Sequence, residues 1–444
     1  MNQFRVKFLA LIVIAGMWSR VYAIPTSPPR VDVSPMPQKS DLQSQLATAD
    51  AVLEEMSKTT GLPIKGPLKK AILPRPAIEK YLIENLHAES TPEELRVQEA
   101  TLKAFGLVSS DFDLEKFLIT FYTEQVAGFY DPRTKTMNMA DWIPSEMQSM
   151  VLSHELTHAL QDQNYDLDKF LHGARDNDDA TNARQAIVEG HAMAAMMQHA
   201  LGQVDLGAIP SLSQMMAGVV DEQLSAFPAF SHAPFFFRMQ ALFPYLQGMS
   251  FMQKGLARGG WKELNGLFMN PPATTKELFE PELYFNHTHF PVESLPKPPP
   301  LSGVPSLHFL TENTMGELGY YSIIGQLLSE DQAKSAGLAW LADRYLLYEY
   351  SGKTEGGGNF VLVSRTKWSN AEKSLEFFRD YNTILQRKYP GLSPDARSGS
   401  DLFIAGAGSS RVIVLRRGDE VLWAEGIPAA QADAILDWLR GLKD

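Results

Sequence analysis

The sequence contains no cysteine among its 444 residues. No disulfide can therefore staple the fold, and no thiolate can bind a metal or act as a nucleophile. Stability must come from the burial of apolar side chains, which make up 44% of the residues. Any bound metal would need ligands from histidine and carboxylate side chains.

An excess of basic residues is also missing. Lys and Arg number 40 against 52 Asp and Glu, so the formal net charge is -12. Nucleic-acid binding requires clustered Lys and Arg side chains that neutralise phosphates, and the sequence shows no such cluster. We therefore expect no nucleic-acid partner.

Long apolar runs are absent as well. The apolar run from Phe8 to Trp18 is well short of the roughly 20 residues that a membrane helix needs. Arg5 and Lys7 precede it, and Ala23 follows in a position typical of a cleavage site. Residues 1–23 are thus predicted to be a signal peptide, with an uncleaved anchor as the alternative. The mature chain is then expected to be secreted or periplasmic, without a stable membrane span.

Composition and periodicity divide the rest of the chain. Residues 24–40 are rich in Pro and Ser and are predicted to form a linker. Residues 41–300 show mostly helical periodicity, interrupted by a hairpin pattern around Asp131 to Thr134. Residues 301–444 alternate helical and strand-like patterns and carry no chemical signature. The predicted fold class is α+β and mainly helical, with a smaller C-terminal α+β unit.

The stretch SHELTHALQDQ, residues 153–163, is the most informative motif. On a helix, His154 and His158 are one turn apart and project from the same face. In this HExxH arrangement two imidazoles bind zinc, while Glu155 stays outside the ligand set as a general base for water. The alternative without a functional role is a pair of core histidines that bind no metal.

A catalytic zinc takes three protein ligands, so a third ligand is needed. Glu189 shares an apolar stripe of the next long helix with Ala186 and Met193, where an unpaired carboxylate would be costly. A metal partner would remove that cost, so Glu189 is the predicted third ligand. An ion pair with Arg184 would explain Glu189 without a metal. Rival ligands are Asp176, Asp178, Asp179 and His191, and the aspartates also suit the start of a helix.

HELTH followed by a glutamate on a later helix resembles the zincin metallopeptidases, specifically the glutamate-liganded gluzincins. The chain is similar to bacterial HExxH proteins that carry VAGFYDPRTK, HELTHALQDQ, VEGHA and PPATTKELFEPELY in this order. The similarity covers most of the mature chain, but only the metal motif is specific. The sequence departs from the best-known gluzincins at Met193, where those proteins carry an Asp that supports a zinc-binding histidine. Asp162 is the candidate for this support here.

The resemblance implies a zincin-like domain in which an extended peptide binds along an edge strand before the metal helix. Gly128, Phe129 and Tyr130 are the corresponding substrate-binding candidates, although this hairpin could also simply cover the helix. An oxyanion donor is expected too. The open candidates are Tyr284, His287, His289, Tyr320 and Tyr321, and the HTH of residues 287–289 is better interpreted as a surface loop than as a second metal site.

These observations favour an exported, Zn²⁺-dependent metallopeptidase that hydrolyses a peptide or protein substrate. His154, His158 and Glu189 would bind zinc, and Glu155 would be the catalytic base. Two alternatives stay open. One is a catalytically silent binding or assembly protein that is stabilised by zinc, and the other is a metal-dependent hydrolase of cell-wall peptide amides.

Overall fold

The computed structural model describes residues 10–12, 39–174, 177–210, 212, 227–351 and 360–443. The predicted signal peptide and linker lie outside these ranges, apart from residues 10–12, 39 and 40, and so does Asp176. The fold is α+β and mainly helical, as predicted, with 57% helix and 18% strand. Within the part of the chain that the structure describes, every helix is too short or too polar to cross a bilayer.

Helices dominate the first part of the chain, and several of them end where the sequence offers a stop signal. Helix α1 ends before Gly61, whose φ of 73° is easily reached only without a side chain. A capping box between Thr91 and Glu94 begins helix α3, which ends before Gly106. The helices are α1 Lys39–Thr60, α2 Arg75–Glu89, α3 Pro92–Phe105, α4 Leu114–Gln125, α5 Ser145–Tyr165, α6 Leu167–His172, α7 Asp178–Leu201, α8 Pro228–Ser231, α9 Phe235–Gly266, α10 Thr275–Phe279, α11 Pro281–Phe285 and α12 Pro299–Ser302.

A four-stranded sheet lies against α5. Its strands are β1 Ala10–Ile12, β2 Lys69–Leu73, β3 Val126–Asp131 and β4 Thr136–Ala140. Their order in the sheet is β1-β3-β4-β2, and β3 and β4 form the predicted antiparallel hairpin. Strand β2 pairs in parallel with β4, and β1 pairs with the outer edge of β3. This arrangement places β3 against α5, the helix that contains the HExxH motif.

Helices α5, α7 and α9 form the helical core around the motif. A Cβ added to Gly190 of α7 would lie 2.5 Å from the carbonyl carbon of Gly248 in α9. The two helices therefore cross at backbone distance, which only glycine permits. The backbone that approaches Gly190 thus belongs to α9 and not to α5, the helix that carries the two histidines.

A seven-stranded sheet dominates the C-terminal part, in the order β5-β6-β7-β11-β10-β9-β8. The elements are β5 Leu307–Asn313, α13 Gly316–Leu327, α14 Glu330–Ala339, β6 Trp340–Tyr350, β7 Phe360–Trp368, α15 Ala371–Lys388, β8 Ser393–Pro394, β9 Leu402–Ala407, β10 Ser410–Arg417, β11 Glu420–Pro428 and α16 Ala432–Gly441. Neighbouring residues of β10 point into different cores: Val412 and Val414 pack with α15, whereas Ile413 packs with α16. Both faces of the sheet are thus covered, and one hydrophobic core continues from α15 into the N-terminal helices.

Candidate metal centre

Three side chains from two helices converge on one point. The Nε2 atoms of His154 and His158 are 3.0 Å apart. Glu189 places Oε2 3.2 Å from the first and 3.5 Å from the second. Tetrahedral zinc with bonds of about 2.0 to 2.1 Å would separate its ligand atoms by about 3.3 Å. The donor set and its spacing therefore fit a Zn²⁺ ion.

The electrostatics of this centre favour a positive charge. All three side chains are at most 1% exposed. Burial lowers the pKa of His154 to about 4, so this ring is neutral. Burial also opposes the ionised form of Glu189, but the nearby histidines outweigh it and lower the pKa of this carboxyl to about 2. For His158 burial is outweighed by the charge of Glu189, which raises its pKa to about 9. The buried carboxylate thus requires a positive partner, which a proton on His158 or a divalent cation can supply.

Two of the three predicted ligands, His158 and Glu189, contact neutral amides. Nδ1 of His158 lies 2.9 Å from Oε1 of Gln161, and Gln185 donates to Oε1 of Glu189 at 3.0 Å. Nδ1 of His154 has no hydrogen-bond partner in the described ranges.

The expectation that Asp162 supports a zinc-binding histidine is wrong. Its carboxylate accepts hydrogen bonds from the Tyr130 hydroxyl at 2.7 Å, from Lys135 at 2.6 Å and from the backbone N–H of Leu167 at 3.2 Å. Asp162 therefore ties β3 and the hairpin turn to the end of α5. No sequence pattern distinguished Gln161 from Asp162, because the choice depends on which side of α5 faces α7.

Glu155 lies at the crossing of α5 and β3. A Cβ added to Gly128 would be 2.6 Å from Cγ1 of Val151 and 3.5 Å from Cγ of Glu155. Glycine at position 128 therefore lets the strand backbone lie directly against the helix at the predicted general base. Glu155 itself is fully buried.

The predicted substrate residues Gly128, Phe129 and Tyr130 all belong to β3 and are buried. The Phe129 ring stacks on Tyr81 at 4.1 Å, and the Tyr130 hydroxyl is bonded to Asp162. Both side chains are therefore engaged in the fold, so only the backbone of this strand is left for recognition. In the structure that outer edge pairs with β1, with Ala10 opposite Phe129.

The five predicted oxyanion candidates make their contacts elsewhere. Tyr284 donates to the carbonyl oxygen of Asn270, and Tyr320 is buried against Trp368. Tyr321 packs against Phe235 and Phe279, and His287 and His289 are exposed in the turn after α11. The HTH stretch is thus a surface loop, as expected.

Tyr245 of α9 is a tyrosine that the sequence analysis missed. Its ring centroid lies 6.4 Å from that of His154, and the residue is 4% exposed. It stands in an apolar helical stretch, FFFRMQALFPYLQGM, whose pattern predicts only core packing.

The rivals of Glu189 have other partners. Arg184 donates to the carbonyl oxygen of Phe170, so it does not form the ion pair considered for Glu189. Asp178 and Asp179 are in the first turn of α7, as expected for acidic residues at a helix start. His191 contacts Gln161 and Asn265.

Glu89, Asp168 and His172 form a second polar cluster near the surface. Nε2 of His172 faces Glu89 at 3.1 Å and Nδ1 faces Asp168 at 2.9 Å. His172 thus contacts the two carboxylates through different ring nitrogens, and only one of these nitrogens could bind a given ion.

The comparisons with known proteins concern the other end of the chain. Residues 307–436 match a family described as "Domain of unknown function (DUF8575)". The match covers β5 to most of α16 and none of the residues of the candidate metal centre. Comparison with curated proteins and with solved structures found no match to the chain.

Proposed function

We propose that the chain is an exported zinc-dependent metallopeptidase with a zincin-like domain of the gluzincin type. The observation that carries this proposal is the convergence of His154, His158 and Glu189, whose ligand atoms are 3.0 to 3.5 Å apart. Glu155, next to His154 on the same helix, supplies a carboxylate that a purely structural zinc site would not need.

In this proposal His154, His158 and Glu189 hold the zinc ion. Bound zinc would supply positive charge that polarises the scissile carbonyl and lowers the pKa of water. Glu155 would accept a proton as the water oxygen bonds to the carbonyl carbon, and would return it to the amine nitrogen as the C–N bond breaks. No covalent bond between enzyme and substrate is required.

The outer edge of β3 is the proposed seat of the substrate. An extended peptide would pair with the backbone of Gly128 to Tyr130, in the position that β1 takes in the structure. Strand β1 belongs to the predicted signal peptide, so cleavage after Ala23 would free this edge for a substrate. Tyr245, near His154, is the proposed oxyanion donor.

One observation favours a second function, that of a zinc-stabilised binding or assembly protein. Glu155 and the three predicted ligands are at most 1% exposed, which is typical of a structural site. The two functions differ in whether the site becomes accessible once residues 1–23 are removed.

The test uses the chain that begins at Ile24, as wild type and as Glu155→Gln. The peptidase proposal predicts one zinc per chain in both proteins, and cleavage of a peptide library by the wild type alone. Glutamine keeps the shape of the side chain but cannot accept the proton, so activity should fall by at least about 100-fold. Zinc binding without cleavage by the wild type would favour the assembly function instead.

A further inference from the structure

Gln161 connects a predicted zinc ligand to a buried hydrogen-bond chain. It follows His158 by three residues on α5 and is fully buried. Its Oε1 lies 2.9 Å from Nδ1 of His158. Its Nε2 lies 3.0 Å from the carbonyl oxygen of Val188 and 3.1 Å from Nδ1 of His191.

The carbonyl oxygen of Val188 fixes the orientation of this amide. A carbonyl can only accept a hydrogen bond, so the NH₂ group of Gln161 must face it. Oε1 of Gln161 must then face His158, and it can only accept. Nδ1 of His158 therefore carries a hydrogen, so in the neutral ring, which zinc binding requires, Nε2 has a free lone pair on the side of His154 and Glu189.

The other end of this series of hydrogen bonds, at Asn265, independently predicts the same orientation of the Gln161 amide. Asn265 of α9 donates to the carbonyl oxygen of Thr60 at 2.8 Å. Its Oδ1 consequently faces Nε2 of His191 at 3.1 Å, so that nitrogen must carry the hydrogen. Nδ1 of His191 is left as the acceptor for Gln161.

Packing holds the middle of the chain in place. The His191 ring lies edge-on to Trp261 at 5.3 Å and to Phe268 at 5.4 Å. The hydrogen bonds join α5, α7, α9 and the end of α1. Two backbone carbonyls anchor them, that of Val188 at Gln161 and that of Thr60 at Asn265. Every donor and acceptor along this path has one possible role.

We propose that Gln161 is a positioning residue for zinc binding, and that the chain from Gln161 through His191 to Asn265 holds His158 in the tautomer that presents Nε2 to the metal. This inference rests on the proposed function, since it assigns the support of a ligand in the same centre.

A neutral support has a distinct consequence. A carboxylate at Nδ1 would add negative charge to the centre and make the imidazole a stronger donor to the ion. With Gln161 and Gln185 as supports, Glu189 is the anionic member of the ligand set and the supports add no charge.

The test compares two glutamines of the same helix. Gln161→Met removes the support, whereas Gln148→Met removes a similar buried bond to the carbonyl oxygen of Ile143, away from the ligands. Zinc affinity is measured by competition with a chelator on the chain that begins at Ile24. Loss of an outer-shell partner predicts about 10- to 100-fold weaker zinc binding for Gln161→Met. Gln148→Met should keep the wild-type affinity.

Two further measurements separate positioning from mere stability. In zinc-loaded wild type, the Nδ1 hydrogen of His158 should give a slowly exchanging proton signal in NMR spectra, which disappears in Gln161→Met. Asn265→Leu breaks the chain at a half-buried position and should weaken zinc binding less than Gln161→Met. If Gln161→Met does not fold, the zinc affinity of Asn265→Leu tests the positioning role instead.

The outcomes distinguish this inference from the proposed function. The positioning role would be overturned if Gln161→Met bound zinc as tightly as the wild type, even if peptides are cleaved. When only Asn265→Leu folds, wild-type zinc affinity in that variant would have the same meaning. If Gln161→Met loses zinc affinity as predicted but the wild type cleaves no peptide, the positioning role of Gln161 stands and the peptidase function is refuted. A wild-type chain that binds no zinc would overturn both.

Discussion

Buried charges are handled differently in the two halves of the molecule. In the C-terminal half, Glu425 accepts hydrogen bonds from Lys388, Tyr381 and Tyr389. Glu420 is similarly paired with arginines of the same sheet. In the helical half, Glu189 contacts two imidazoles and one amide, and no Lys or Arg pairs with it in the described ranges. The C-terminal half thus supplies the counter-charges of Glu420 and Glu425 from its own basic side chains, whereas the proposed function gives Glu189 a cation from outside.

The same contrast appears within helix α7. Asp179, at its start, is buried, and burial raises its pKa to about 6 despite hydrogen bonds from Thr275. Glu189, in its middle, faces two histidines that lower its pKa to about 2 against the effect of burial. Burial alone therefore does not mark a metal ligand. The distinguishing feature is the convergence of several lone pairs on one point.

The largest effect is expected for Glu189→Ala. Structural zinc in zinc fingers is bound with roughly 10 to 16 kcal/mol, so removing one of the three predicted ligands here should weaken zinc binding by about 1,000-fold or more. Isothermal titration with zinc on the metal-free chain measures this loss. Unchanged affinity would move the third ligand elsewhere.

The matched variant in the other half is Glu425→Gln. It leaves Lys388, which is 10% exposed, without its counter-charge, so the free energy of unfolding should fall by about 3 to 5 kcal/mol. Urea unfolding measures the fall, and zinc affinity should stay at the wild-type value. A change in zinc affinity would contradict the view that Glu425 only stabilises the fold whereas Glu189 binds the metal.

Gly128→Ala tests the contact between β3 and Glu155, the proposed general base. The added methyl group would meet Val151 at 2.6 Å, so the strand must shift at a cost of about 1 to 3 kcal/mol. Peptidase activity should fall more than zinc affinity, because the strand lies over Glu155 and not over the ligands. Gly303→Ala is the control, since nothing lies within 4 Å of its added Cβ.

The smallest effect concerns the pH dependence of stability. The folded-state pKa of Asp179 is raised from 3.8 to about 6, so its contribution to stability is present below pH 4 and is lost as the pH rises through 6. Asp179→Asn should flatten the decline in the free energy of unfolding between pH 4 and 6 by on the order of 1 kcal/mol. Denaturant unfolding at several pH values checks this. An unchanged pH profile would mean that Asp179 is ionised in the fold.

Local features of the fold were predictable from the sequence. Gly61 and Gly106 directly follow the ends of helices, where glycine is the typical residue, and the hairpin of β3 and β4 surrounds its turn residues. Strand β2 was not predicted, because KKAIL shows no alternation and its partner β4 is distant in sequence. Its structure depends on a non-local parallel pairing that periodicity does not report.

The candidate site was predictable to a similar extent. Helical spacing indicated His154 and His158, and an acid on an apolar stripe indicated Glu189. Their approach to 3.0 to 3.5 Å agrees with that expectation, while metal binding itself stays a prediction. The support by Gln161 and the position of Tyr245 depend on how three helices pack. Neither residue breaks the polarity pattern of its own helix in a way that the sequence alone would reveal.

Zinc K-edge X-ray absorption on the purified chain that begins at Ile24 tests the central claim most directly. The expected spectrum shows four nitrogen or oxygen neighbours at about 2.0 to 2.1 Å, with the multiple scattering of two imidazoles. Absence of bound zinc, or an oxygen-only shell without imidazole scattering, would contradict a metal centre built from His154, His158 and Glu189.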